Sequence, residues 1–196
     1  MEDEYRAVAS QIIEASLGSG RAHGLLTELC DDIGARLSGS PSLDRALVWA
    51  RDALREAGHA GVAIEKVMVP RWVRGQESLT LLAPRRRSMQ LLGLGNSVGT
   101  PAEGVRAPVM VVDSMADLEQ RRRQAKGKVV LFNVPMPAYD TETRDPGYGS
   151  VVGVRVQGAS LAAAHGAVAA LVRSLTATSL STPHTGTLRY DEDKPR

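Results

Sequence analysis

Apolar residues recur at helical spacing through the first 60 positions and then give way to short runs of β-forming residues. Residues 3–16 and 22–34 read as two helices, and in the second Leu25, Leu26, Leu29 and Ile33 share one face. The stretch SLGSGRAHG separates them as a turn. ARLSGSPSLD then leads into a third helix, with Ser40 as N-cap and Pro41 in the first helical position. Leu43, Ala46, Leu47, Ala50 and Leu54 line its face, and Gly58 ends it. After Gly61 the runs VAIEKVMVPRW, SLTLLA, SMQLLGL, APVMVVD and KVVLFN read as strands, with a helix over 115–125 between the last two. GASLAAAHG reads as a compact helix over 158–166, and AVAALVRS as a strand covered on both faces. The pattern predicts an α/β protein: N-terminal helices followed by a β-rich domain with flanking helices.

Composition adds limits. The 196 residues are 43% apolar and 23% charged, a globular mixture. Phe132 is the only phenylalanine, so the core must be built from Val, Leu, Ala and Ile. Net charge is +2, and two runs, Arg85–Arg87 and Arg121–Arg123, carry six arginines. No aromatic residues are interleaved for base stacking, so both runs read as solvated surface and nucleic acid is not an expected partner. Cys30 is the only cysteine; it reads as a buried, inert thiol in a cytoplasmic protein. MEDEYRAVAS has no apolar signal region, and no apolar run approaches the ~20 residues of a membrane helix.

The candidate chemistry is sparse. GNSVG, residues 95–99, matches the serine-hydrolase pattern around Ser97, but TPAEG follows where a helix should start. The four histidines, His23, His59, His165 and His184, begin no H-x-D or H-E-x-x-H sequence, and a zinc site needs several converging ligands. His23 and His59 read as surface turns and His165 as a helix end. His184, after Pro183, is free to reach outward, as a hydrogen-bonded loop residue or as a ligand. Asp31 and Asp32 are consecutive and do not converge. GLGNSVG lacks the ending of a phosphate loop. No catalytic constellation and no metal-ligand set is expected within these residues.

Six stretches in unbroken order carry a resemblance. LCDDIGARLSGSPSLDRAL, VPRWVRGQESLTLL, LLGLGNSVGTPAEGV, KGKVVLFN, VQGASLAAAHGAVAALVRS and STPHTG resemble the carboxypeptidase Q branch of the co-catalytic zinc exopeptidases. That family also includes aminopeptidase Y and glutamate carboxypeptidase. The resemblance implies that residues 1–65 are the N-terminal helical segment of a peptidase domain. It implies that residues 66–196 are a protease-associated (PA) domain, incomplete at its C-terminal end. In such a domain Ala162, Ala163, Ala164 and Gly166 would let a helix lie close on the sheet. The implied enzyme holds two zinc ions and a glutamate base, and hydrolyses dipeptides or peptide ends. None of those motif positions falls here, so the resemblance implies a non-catalytic portion that binds no zinc itself. His184 with Arg173 is the implied substrate-binding pair, toward a carboxylate. A stand-alone PA-type module for protein or peptide contact is the alternative, and a hydrolase using Ser97 the least favoured. Leu25, Leu29, Leu47 and Leu54 would then need a cover, either a catalytic domain or a second copy of the chain.

Overall fold

The computed structural model describes residues 2–178 and 183–195. The chain divides into two compact units that join at Arg71 and Trp72.

The first unit is helical. Helix α1 (Glu2–Gly18) and helix α2 (Arg21–Thr27) are separated by Gly20 in the left-handed region. Helix α2 continues into a π-helical turn over Glu28–Ile33, closed by the Gly34 N–H donating to the Leu29 carbonyl five residues back. The Arg36 guanidinium donates to the Leu29 and Gly34 carbonyls, both at 2.7 Å, and so satisfies the open helix end. Cys30 is exposed, contrary to expectation: the wider turn breaks the 3.6-residue phase that assigned it to an apolar face.

Helix α3 (Pro41–Glu56) starts as its sequence dictates. Ser40 Oγ accepts from the Leu43 N–H at 3.2 Å, with Pro41 in the first helical position. Its inward face is rotated from the expected one. Ala46 is buried, Leu43, Trp49, Ala50 and Ala53 are half-buried, and Leu47 and Leu54 are exposed. The Trp49 Nε1–H donates to Glu28 Oε2 at 2.8 Å, which draws that side of α3 toward the π turn.

The expected strand over 62–72, which lies in the first unit except for Trp72, does not form. That run carries Glu65, Lys66, Pro70 and Arg71 and finds no ladder partner. In the second unit, SLTLLA and the start of SMQLLGL pair as an antiparallel ribbon, β1 (Leu79–Leu81) with β2 (Arg87–Met89). Three runs form a parallel sheet of order β3-β4-β5: β3 (Val109–Val112), β4 (Val129–Phe132) and β5 (Ala169–Val172). Parallel neighbours need crossovers, supplied by helix α4 (Met115–Gln120) and helix α5 (Tyr148–Ala164). Helix α5 begins ten residues before the predicted helix. Gly149, Gly153 and the β-branched Val151, Val152, Val154 and Val156 hide its first half from a propensity reading.

One face of the sheet makes the core. Met110, Val112, Val130 and Phe132 pack with Leu118 of α4 and Val151, Val154 and Ala162 of α5. The alternation is plain in β3, where Met110 and Val112 are buried while Val109 and Val111 are about half exposed. Strand β5, expected to be covered on both faces, is half-buried at every position. The close approach of α5 rests on Gly158, where a Cβ would lie 2.9 Å from the fully buried Phe132 ring. Of the small residues expected at that contact, Ala162 is buried, whereas Ala164 and Gly166 are exposed.

Helix α4 is fastened at both ends. Ser114 Oγ accepts from the Asp117 N–H at 2.9 Å. Arg121 is not merely solvated: its guanidinium donates to both Asp117 oxygens and to the Val111 carbonyl of β3. No helix among the described residues is long and apolar enough to cross a membrane.

Two outcomes follow. Gly158→Ala should destabilise the second unit by about 1–3 kcal/mol through overpacking. Gly149→Ala, in the same helix with nothing within 4 Å of its Cβ, should stabilise it by about 0.5–1 kcal/mol. Urea midpoints of the two variants check this pair. The Arg121 hydrogen bonds, aided by the Asp113 N–H, hold the Asp117 carboxyl below its usual range. A lowered folded value means that the Asp117 contribution is complete above the unfolded value of about 3.9 and is lost as pH falls through the folded one. Asp117→Asn should therefore flatten the acid limb of a stability–pH curve, and an unchanged limb would contradict the pairing.

Candidate functional site

The segment from Pro183 onward is laced into the second unit from two sides. Toward the turn at 94–98, the Gly95 N–H donates to the Gly186 carbonyl at 2.7 Å, and the Leu188 N–H donates to the Gly95 carbonyl at 3.0 Å. The Val98 N–H donates to the Tyr190 hydroxyl at 3.0 Å. Toward α5, the Arg189 N–H donates to the Val156 carbonyl and the Asp191 N–H to Ser160 Oγ, both at 2.9 Å. Leu188 is buried beneath this lacing. The same turn holds the start of the unit. Trp72 Nε1–H donates to the Ser97 carbonyl at 3.0 Å, and Arg74, stacked 5.0 Å from the Trp72 ring centroid, donates to the Gly93 carbonyl.

These elements border an open cavity of about 750 Å³ between β2 with the chain after it, α5, β5 and the returning segment. Its walls mix polar and apolar surface, with Leu91, Leu92, Leu94, Leu171, Leu175 and Leu188 prominent on the apolar side. Its formal charges are all of one sign: Arg87, Arg155 and Arg173 line it, with His184 beside them, and no Asp or Glu does among the described residues.

Arg155 is the deepest of these groups. Helix α5 projects it beside Tyr148, whose hydroxyl accepts from Arg155 Nη2, and its guanidinium lies 5.3 Å from that ring centroid. Gly186 covers it, and a Cβ there would lie 2.6 Å from Arg155 Cζ. Arg155 Nε is buried without a hydrogen-bond partner. Sequence reasoning missed this residue; the available signal was one arginine inside the apolar run VVGVRVQGA.

The two residues singled out from sequence meet at this cavity. Arg173, just past β5, and His184, on the returning segment, are both exposed and both line it. The His184 backbone N–H donates to Ser174 Oγ at 3.2 Å. Ser97 lines the cavity too, but its turn has no helix after it. No hydrogen bond among the described residues joins its Oγ to a histidine or carboxylate. The geometry of a nucleophile elbow is absent.

The remaining candidates lie elsewhere. His165 caps α5 and shares a 2.9 Å hydrogen bond from Nε2 to Glu119 Oε1 of the preceding crossover. His23, His59, Asp31 and Asp32 are exposed in the first unit. Four carboxyls are held below their usual range, each chiefly by hydrogen bonding to one side chain: Asp52 by Arg51, Asp117 by Arg121, Asp140 by Thr143 and Asp191 by Lys194. None of them lines the cavity. No three His, Cys, Asp or Glu side chains among the described residues converge as metal ligands. The described residues therefore do not fit a two-zinc centre.

Comparison with known proteins places this geometry in a lineage. No family model matches the chain. Carboxypeptidase Q of Xenopus laevis is 42% identical over 195 residues, covering 98% of this chain and 40% of that protein. The proteins of the same name from Mus musculus and Homo sapiens are 39% and 38% identical over 98% and 96% of this chain, and each is covered over 40% or 39% of its length. Among solved structures, a peptidase M28 precursor from Shewanella amazonensis SB2B superposes with a TM-score of 0.84. It is 29% identical, over all of this chain and 44% of that one. A zinc aminopeptidase from Bacillus subtilis, 21% identical, shares the fold over 77% of this chain and 32% of its own, with a TM-score of 0.52. The chain spans about two fifths of the length of the relatives it matches. Over that region, the chain is similar to carboxypeptidase Q and to a peptidase M28 precursor.

Proposed function

We propose that this chain is the non-catalytic portion of a zinc-dependent exopeptidase that hydrolyses dipeptides or trims peptide ends. In this reading the first unit is part of the peptidase domain, the second is a PA domain, and the two zinc ions and their ligands lie outside these residues. The observation that carries it is the likeness to carboxypeptidase Q, 42% identical along nearly the whole chain. When bound, a zinc pair activates water and stabilises charge on the tetrahedral intermediate. The residues present here contribute substrate handling: Arg173 and His184, on the rim of a cavity without acids, bind a substrate carboxylate by charge-assisted hydrogen bonds. A second reading, a PA-type module that binds peptide or protein by itself, is favoured by the self-contained core of the second unit.

The test is activity at the relatives' full length. A polypeptide that carries this segment at that length should hydrolyse dipeptides, lose activity to a chelator and regain it with zinc. The present chain, with or without added zinc, should show no turnover; turnover by the rigorously purified chain would overturn the reading. In the complete enzyme, Arg173→Gln and His184→Ala should each raise KM about tenfold with little change in kcat. Unchanged KM in both variants would remove the substrate role and leave the binding-module reading.

A further inference from the structure

We propose that the cavity beside β5 binds the C-terminal carboxylate of an extended apolar peptide, with Arg155 as its anchor. The inference rests on the peptidase reading only for the choice of a peptide; the site itself is argued from its lining. Burying a guanidinium is costly unless its donors find partners. Arg155 has one neutral partner, the Tyr148 hydroxyl, and a buried Nε with none. Arg36 and Arg121 in the same chain spend their donors on carbonyls and a carboxylate. Arg155 instead faces a cavity whose other charged groups are Arg87 and Arg173. Such a lining repels cations and leaves donors for an anion, while the leucines around it favour an apolar body.

The shape selects a chain over a compact molecule. Strand β5 is an edge of the parallel sheet among the described residues, and all four of its residues line the cavity. An extended peptide laid along it adds main-chain hydrogen bonds and places alternate side chains against the leucines. A carboxylate at its end reaches the guanidinium and forms the charge-assisted pair that the protein lacks.

The experiment measures equilibrium binding to the present chain, without zinc and without hydrolysis, so its failure is separable from failure of the catalytic reading. The probe is a fluorescein-labelled pentapeptide of alternating alanine and leucine with a free C-terminal carboxylate, compared with its C-terminal amide by fluorescence polarisation. The acid should bind at least tenfold tighter than the amide, and the gap should shrink in high salt. Arg173→Gln, at an exposed position, should weaken acid binding severalfold. Arg155→Gln should abolish the preference for the acid, whereas Arg86→Gln, outside the cavity, should leave it intact. Equal binding of acid and amide, binding of neither, or displacement of the peptide by decanoate at equal affinity would overturn the proposal.

Discussion

The second unit depends on how closely helix α5 can approach strand β4. Phe132 is the only phenylalanine in the chain, and its ring is fully buried against the backbone at Gly158. Burying one such ring contributes roughly 1.5–3 kcal/mol, and no other aromatic of this core is fully buried. The rest of the core is valine, leucine, methionine and alanine, so the layer between helix and sheet is thin. A side chain at 158 would lift the helix off the ring. The same helix carries Arg155 to the cavity and offers Val156 and Ser160 to the returning segment. One missing methyl group thus sets the packing of the core and the placement of the site together.

Three arginines show how context decides what a cation does. Arg36 closes the carbonyls of the π turn, and Arg121 joins α4 to β3 through a carboxylate and a carbonyl. Both donate to carbonyls, and Arg121 also to a carboxylate. Arg155 donates to the Tyr148 hydroxyl but leaves its buried Nε without a partner, and an unsatisfied buried donor costs about 1–3 kcal/mol. Tyr148 and Gly186 fix its position without neutralising it. The cavity therefore combines a held positive charge with leucines that are poor at solvating one.

Much of the fold was legible in local pattern, and most of the site was not. The start of α3 is encoded by a serine and a proline in sequence, and strands β3, β4 and β5 by compact apolar runs. The resemblance to an exopeptidase family was legible because six stretches kept their order. The first half of α5 was not, because valines and glycines favour other conformations and only tertiary packing overrides them. Cys30 went wrong for a related reason, since one π turn shifts every residue after it around the helix. His184 and Arg173 were named through the family resemblance, and their shared cavity was not foreseen. It is closed by hydrogen bonds such as Asn96 Nδ2 to the Leu188 carbonyl, across 92 residues of sequence, and no periodicity records a contact of that range.

The turn at Leu94–Val98 receives Trp72 from one direction and Tyr190 from the other. The first residue of the second unit and its returning segment are thereby stapled to a common knot. Tension applied at Trp72 or at Tyr190 is met first by a handful of hydrogen bonds in that knot, before it reaches the phenylalanine beneath the helix.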